Sequence, residues 1–187
     1  MQPRIQTYSG IMFDLENPTA EMVRLEDIAH ALANSSRFNG HTARFYSIAQ
    51  HSCICTGVMR EAAHKPWALF HDAAEAYVGD VVAPLKSLLA PTIHQIETRA
   101  QGAIVARFEI DVSQGVQWAV RVADLRMLAT EQRDLLGPQA EPWELEFPPY
   151  DFHITQTWSP HFAKRVYLDM ARQLLGLPVP AECHLVQ

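Results

Sequence analysis

Three side chains that can bind a metal or exchange protons lie within five residues of one another: His71, Asp72 and Glu75. In a helix, with about 100° between successive residues, His71 and Asp72 are adjacent and Glu75 follows them at i+4 and i+3. All three therefore share one face. The rest of the stretch from Trp67 to Ala76 is apolar, which places this polar face inside the fold. Charged groups buried there need a partner, and a divalent cation is the obvious one.

Two further helical stretches each contain one polar residue that stands out. His51 follows a largely apolar run, and Asp124 interrupts another. Alone, His51 is more commonly a hydrogen-bonded core histidine, and Asp124 could be a capping or solvent-facing acid. Together with His71 and Asp72 they form a set of four nitrogen and oxygen donors from three helices. Such a set suits Mn, Co, Fe, Ni or Zn better than Ca.

Composition restricts the class of protein. The 187 residues fit a single domain, 1–187, in which 48% hydrophobic and 19% charged residues favour a packed core over disorder. The net charge of −6 is negative, whereas a protein that binds long nucleic acid through a broad surface is usually basic. The N-terminus lacks an apolar signal core, and no apolar run approaches the ~20 residues of a membrane span. Three cysteines are too few for a disulfide framework, so we expect a cytoplasmic protein with no membrane partner.

Apolar periodicity and helix-boundary residues predict an all-α protein, a compact helical bundle. Helices are predicted over 19–34, 43–63, 67–77, 91–108, 113–136 and 160–175, with the core over about 20–135. Pro66 suits the first turn of the third helix, and Gly79 suits its end. Residues 1–19 are expected to be a turn-rich entry and 81–84 a loop or short extended piece. The proline-rich stretch 137–159 is expected to be a long surface excursion, and 177–187 a loose tail.

The order H…HD…D in an all-helical chain of this size resembles the HD-domain metal-dependent phosphohydrolases. The segment from His71 to Lys86 reads HDAAEAYVGDVVAPLK. It is similar to the nucleotidase branch of that family, the YfbR-like 5′-deoxynucleotidases, and to phage dATP triphosphohydrolases of the DatZ type. The similarity covers roughly residues 8–135, where DIAHAL and RFNGHT look like the N-terminal portion of many small bacterial and phage members. The resemblance implies a helical bundle of the HD-domain type and a homo-oligomer.

The resemblance also implies a role for the polar positions of the motif. Four residues would hold a divalent metal ion, which could be Mn, Co, Zn, Fe, Ni or Mg: His51, His71, Asp72 and Asp124. Glu75 would be the acid/base beside the attacking water. Asp80 would act next to it or help to bind a second metal ion near Glu75. Taken by itself, Glu75 could be a solvated helix carboxylate.

Four more residues would contact the substrate: Arg37, Phe38, His41 and Lys86. Lys86 matches the family's phosphate-binding residue, while this chain has Arg-Phe where the nucleotidases have Arg-Trp. Arg37, His41 and Lys86 would offset charge on phosphoryl oxygens. Taken by themselves, Arg37 could pair with Asp27 or Glu26, His41 could belong to a glycine turn, and Lys86 could be an exposed lysine.

The predicted activity is removal of phosphate from a (deoxy)nucleotide by 5′-nucleotidase-type hydrolysis, with metal-activated water and no covalent intermediate. The partner is thus a small-molecule nucleotide. Cleavage of a triphosphate with release of its polyphosphate chain is the main alternative. A nucleotide sensor without turnover is less favoured, because every ligand and both acids are present. The missing GYP motif and the acidic net charge disfavour a phosphodiesterase.

Overall fold

A β-hairpin precedes the helices. In the computed structural model, which describes residues 2–178, β1 (Arg4–Gln6) pairs antiparallel with β2 (Met12–Asp14), and Arg4 lies opposite Asp14. Gly10, in the connection, adopts a φ of +88°, a conformation open to glycine. The sequence predicted only a turn-rich entry, because strands of three residues are too short to show an alternating pattern.

The rest of the described chain is mainly helical. Within residues 2–178 the α-helices are α1 (Leu25–Asn34), α2 (Ile48–Val58), α3 (Lys65–Phe70), α4 (Glu75–Val78), α5 (Ala83–Leu89), α6 (Thr92–Phe108), α7 (Gln114–Leu135) and α8 (Pro160–Leu175). Short 3-10 turns lie at Ala20–Met22, Arg37–Gly40 and Ala62–His64. The predicted all-α class is confirmed, with the hairpin as its one addition in this part of the chain.

The main core forms where α8 packs against α1, α2 and α3. Phe13 of the hairpin, Phe70 of α3 and Tyr167 of α8 are fully buried in it. The Tyr167 hydroxyl donates a hydrogen bond to the Leu69 carbonyl at 3.0 Å, which satisfies this buried polar group. The contact ties α8 to the end of α3, directly before the His71–Asp72 pair.

Helix α2 is shorter than the predicted helix 43–63. Ser47, directly before it, is extended and pairs with the segment that follows α1: the Arg37 amide donates to the Tyr46 carbonyl at 2.9 Å, and Ser36 and Ser47 form an isolated antiparallel bridge. The Ser47 side chain then caps α2 by accepting from the Gln50 amide at 3.1 Å. Because of this pairing, Arg37 is held beside the start of the helix that contains His51.

The predicted helix 67–77 is divided into α3 and α4. Gln101 of α6 inserts its amide between them: its Nε2 donates to the Phe70 carbonyl at 2.8 Å, and its Oε1 accepts from the Ala74 amide at 3.0 Å. In a continuous helix the Ala74 amide would donate to the Phe70 carbonyl. A side chain that inserts between the two backbone groups, as that of Gln101 does, interrupts the helix. The intervening turn tightens, with the Ala73 amide donating to the Phe70 carbonyl at 3.0 Å.

The predicted helix 19–34 is shorter in the structure, because α1 begins at Leu25 and only a 3-10 turn, Ala20–Met22, precedes it, whereas later boundaries agree with the sequence more closely. Helices α6, α7 and α8 match their predictions to within a residue, and residues 137–159 form neither helix nor strand. The expectation of a loop or short extended piece holds for residues 81 and 82 but was wrong for Ala83 and Pro84, because α5 begins at Ala83 with Pro84 in its first turn, a position that proline tolerates. Of the predicted loose tail, residues 179–187 lie outside the described part. No helix within residues 2–178 is long and apolar enough to cross a bilayer.

Candidate metal centre

His51 lies on the buried face of α2 and is completely inaccessible to solvent. Its Nδ1 is 2.6 Å from Oε1 of Glu131, which is also fully buried, on α7. Since the carboxylate accepts, the Nδ1–H of His51 is committed to this bond. The unprotonated nitrogen of a neutral His51 is therefore Nε2, on the opposite side of the ring.

His71 and Asp72 lie in the tightened turn between α3 and α4. His71 Nδ1 donates to the Ala68 carbonyl at 2.8 Å, so a neutral His71 also presents Nε2 as its free lone pair. The side chain of His71 is 9% exposed and that of Asp72 is 19% exposed. The pair is thus at the wall of the core, within reach of solvent on one side.

The four predicted ligands converge. The Nε2 atoms of His51 and His71 are 3.3 Å apart. Asp124 Oδ1 of α7 is 3.2 Å from the first and 3.8 Å from the second. Asp72 Oδ2 is 3.6 Å and 3.4 Å from the same two atoms. Two metal–ligand bonds of about 2.0–2.2 Å that meet at one ion leave their donors at roughly such separations.

Two imidazole lone pairs that face each other require a cation or a proton between them. Burial and the nearby Arg37 lower the pKa of His51, but the carboxylates of Glu131 and Asp124 oppose this, and that pKa is well above its usual value. Burial also lowers the pKa of His71, but Asp72 and Asp124 outweigh it and raise this pKa above its usual value. The centre therefore demands positive charge, which a divalent cation supplies.

The carboxylates of Asp124 and Glu131 are held ionised. Burial raises the pKa of Asp124, but hydrogen bonds from His51 and His71 bring it well below the usual value. Burial also raises the pKa of Glu131, and Arg37 together with His51 more than offsets this and lowers it. Ionised carboxylates beside neutral imidazoles are the form in which these groups bind metals.

A cysteine that the sequence analysis did not consider as a ligand also lies here. Cys55 is one helical turn after His51 on α2, and its Sγ is 3.5 Å from His51 Nε2 and 4.0 Å from His51 Nδ1. One donor atom from each of His51, Cys55, His71 and Asp124 lies within 4.8 Å of the other three, so this cluster could hold a metal ion. At i+4 from a candidate ligand, Cys55 could have been identified from spacing alone.

Glu131 was also missed, and Arg37 has partners other than those the sequence suggested. Arg37 Nε is 3.0 Å from Glu131 Oε2, and its Nη1 is 3.3 Å from Asp72 Oδ2. The Arg37 guanidinium thus links Glu131, the hydrogen-bond partner of His51, to the candidate ligand Asp72. The spacing Asp124 to Glu131, two turns of one helix, is the signal that could have found Glu131.

Glu75, Asp80 and Lys86 form a second polar group beside Asp72. Burial and the charges of Asp72 and Asp80 raise the pKa of Glu75 well above its usual value, and Glu75 Oε2 is buried without a hydrogen-bond partner. Burial also raises the pKa of Asp80. Lys86 Nζ is 3.5 Å from Glu75 Oε1 and 2.8 Å from Glu97 Oε1.

The remaining predicted substrate residues follow Arg37 in a strained turn. Phe38 and Asn39 have φ values of 54° and 50°, in the left-handed region that non-glycine residues seldom adopt. The Phe38 ring packs 5.4 Å from the Arg37 guanidinium carbon, and 6.3 Å from the Trp143 ring of the 137–159 stretch. His41 is exposed. Contact of these residues with a substrate stays a prediction.

Two clefts open beside the centre. The larger, of about 730 Å³, runs along the first half of α7 and reaches Asp124. The smaller, of about 420 Å³, is bordered by Asp72, Glu75 and Lys86. His71 borders both. Both clefts therefore open onto the candidate metal centre.

Comparison with known proteins places the chain in a family. It is 40% identical to the uncharacterized protein YfdR of Escherichia coli strain K12, over 70% of this chain and 71% of YfdR. The chain belongs to the YfdR family. The uncharacterized protein RCAP_rcc00048 of Rhodobacter capsulatus is similar as well, at 31% identity over 69% of this chain and 71% of that protein. No protein-family model matches the chain.

Proposed function

We propose that this chain is a metal-dependent phosphohydrolase of the HD-domain type, which removes phosphate from nucleotides in the manner of a 5′-nucleotidase. The observation that carries the proposal is the convergence described above. Three parts of the chain bring the Nε2 atoms of His51 and His71 and one oxygen each of Asp72 and Asp124 to separations of 3.2–3.8 Å. The order of these residues is the H…HD…D order that the sequence resembles.

The donor set suits a catalytic cation. A divalent ion bound there would lower the pKa of water and draw charge from a phosphoryl group. Glu131 and Arg37 would fix the orientation of His51 and Asp72 by their hydrogen bonds, as the outer partners of metal ligands do.

Glu75 is positioned to act as the general base and general acid of the reaction. Its Oε2 is buried and unpartnered, and burial holds its pKa well above the usual value. A carboxyl group whose pKa is raised can take a proton from water and later give one to the leaving oxygen. Asp80, whose pKa is also raised by burial, would assist at the same edge.

Lys86 would contribute positive charge at the smaller cleft. Its ammonium group already contacts Glu75 and Glu97, and it borders the cleft together with Asp72. A phosphate that approaches Asp72 and Glu75 from this side would therefore meet a cation beside two acids. Charge–charge contacts of this kind stabilise a phosphoryl group as negative charge develops on it.

Phosphorus NMR of a substrate panel tests the proposal. The protein loaded with Mn²⁺ or Co²⁺ is incubated with 2′-deoxynucleoside 5′-monophosphates and with the matching triphosphates. We expect inorganic phosphate from the monophosphates; tripolyphosphate released from triphosphates alone would instead favour the triphosphohydrolase. The matched control is Glu75→Gln, which should keep its metal and lose turnover. No phosphorus product from any member of the panel would contradict the proposal.

A further inference from the structure

The larger cleft shares Trp67, His71 and Gln117 with the smaller one, and the first half of α7 forms its other wall. It lies between Trp67 of α3 and the first half of α7, and its inner end is formed by His71 and Asp124. Trp118 projects from α7 at this cleft and is 56% exposed, although it is one of the largest apolar side chains. An exposed tryptophan in a concave surface beside a candidate metal centre points to ligand contact.

The polar groups of this cleft are suited to a planar, hydrogen-bonding ligand. Gln114 and Gln117 both border it. Gln117 is held in place, because its Nε2 donates to the Val112 carbonyl at 2.6 Å; its Oε1 remains available as an acceptor. A nucleobase offers a π-face to tryptophan and donor and acceptor edges to amides.

Arg121 supplies the one cationic group among the residues that border this cleft. It precedes Asp124 by one helical turn and is exposed. Within residues 2–178, no Asp or Glu oxygen lies within 4.0 Å of its guanidinium. The smaller cleft differs, because Lys86 there is already engaged by Glu75 and Glu97. Arg121 is therefore the side chain of this cleft that could form an ion pair with an anionic ligand.

Spacing along α7 places these groups in a consistent order. At about 1.5 Å per residue, Arg121 lies about 4.5 Å and Trp118 about 9 Å along the helix axis from Asp124. A nucleotide whose phosphate lies between the metal centre and Arg121 would thus bring its base toward Trp118.

We propose that the cleft between Trp67 and Trp118 is the nucleobase site of this protein, with Arg121 contacting the 5′-phosphate or its ester oxygen. The inference rests on the proposed function for the placement of the phosphate. It assigns recognition of the base to Trp118 near the start of α7, where the family resemblance implicated no residue before Asp124.

The test measures binding by calorimetry on the Glu75→Gln background loaded with Co²⁺, so that the ligand is not consumed. The probes are 2′-deoxyadenosine 5′-monophosphate, 2′-deoxyadenosine and inorganic phosphate. Since stacking of a base on an aromatic ring contributes about 1–3 kcal/mol, Trp118→Ala should weaken both adenine probes at least about fivefold and leave phosphate unchanged. Trp118→Phe should restore most of the loss. Arg121→Gln should weaken the monophosphate and phosphate but not the nucleoside.

The matched control is Tyr8→Ala, which removes another exposed aromatic ring, from the hairpin connection, and should alter none of the three affinities. Trp118→Ala with unchanged affinity for both adenine probes would overturn the inference. Turnover by the protein with Glu75 intact separates the two proposals. If Trp118→Ala hydrolyses nucleotides as fast as the unaltered protein, the base site is wrong and the phosphohydrolase stands. If binding depends on Trp118 but no nucleotide is hydrolysed, the phosphohydrolase is wrong and the base site stands.

Discussion

Glu131 Oε1 lies 2.6 Å from His51 Nδ1, and neither side chain is exposed to solvent. The second oxygen of Glu131 accepts from Arg37 at 3.0 Å, so the carboxylate is held at both ends. This arrangement orients the imidazole and directs its Nε2 toward His71 and Asp124. The position of Glu131 therefore decides whether His51 can act as a metal ligand.

Glu131→Gln tests this dependence. The amide is neutral and can turn its NH₂ group toward His51, which would favour the wrong tautomer. Loss of an outer partner of this kind typically costs ten- to a hundredfold in metal affinity, and we expect a decrease in that range. Calorimetric titration of metal-free protein with Co²⁺ measures it, with the exposed Asp169 of α8 as the matched site for a control, Asp169→Asn. An affinity equal to that of the unaltered protein would show that Glu131 is not needed.

Some residues of this centre could be predicted from the sequence and others could not, and the difference has a physical reason. His51 and Asp124 interrupt apolar stretches, and a polar residue in a buried stripe is conspicuous. Glu131 lies in the run Thr130–Asp134, which contains only polar residues and looks like a solvated helix end. Cys55 passes for a small apolar core residue, which is how a free cysteine commonly behaves.

Gln101 is predicted to position the His71–Asp72 turn from outside the centre. Its amide bonds both the Phe70 carbonyl and the Ala74 amide, and Gln101→Leu would leave these backbone groups to rejoin as a regular helix or remain unpaired. Each buried group left without a partner costs about 1–3 kcal/mol. We expect a lower free energy of unfolding for the metal-free protein, measured with urea, together with weaker Co²⁺ binding.

Gln101→Glu is the companion variant, because it keeps the acceptor for the Ala74 amide and loses the donor to the Phe70 carbonyl. It should be affected in the same direction. Unchanged Co²⁺ affinity in both variants would mean that the turn keeps its shape without Gln101. The break at this turn could not be predicted from the sequence, since the cause lies about thirty residues away on α6, whereas local patterns indicate a continuous helix from 67 to 77.

Cys55 is predicted to remain outside the coordination sphere in spite of its proximity. Its Sγ is nearly equidistant from the two ring nitrogens of His51, at 3.5 and 4.0 Å, which places it over the ring and not in line with the Nε2 lone pair. Burial also raises the pKa of this thiol, which disfavours the thiolate that metals bind. Cys55→Ala should therefore keep its Co²⁺ affinity within about threefold, a change below 1 kcal/mol.

The absorption spectrum of the Co²⁺-loaded protein gives an independent readout for Cys55. We expect no sulfur-to-cobalt charge-transfer band in the near ultraviolet, and no spectral change in Cys55→Ala. An intense band that this substitution removes would show that the thiolate is a ligand. The donor set would then include sulfur, which favours softer metals.

The most direct test of the account is to measure metal content and phosphate release in the same samples of Asp72→Ala and of Asp169→Ala. Asp72 Oδ2 lies within 3.6 Å of both imidazole nitrogens, whereas Asp169 is exposed on α8. We predict that Asp72→Ala, folded as judged by its circular dichroism, loses both the bound metal and the release of phosphate from 2′-deoxynucleoside 5′-monophosphates, while Asp169→Ala keeps both. Metal content and turnover in Asp72→Ala equal to those of the unaltered protein would contradict it.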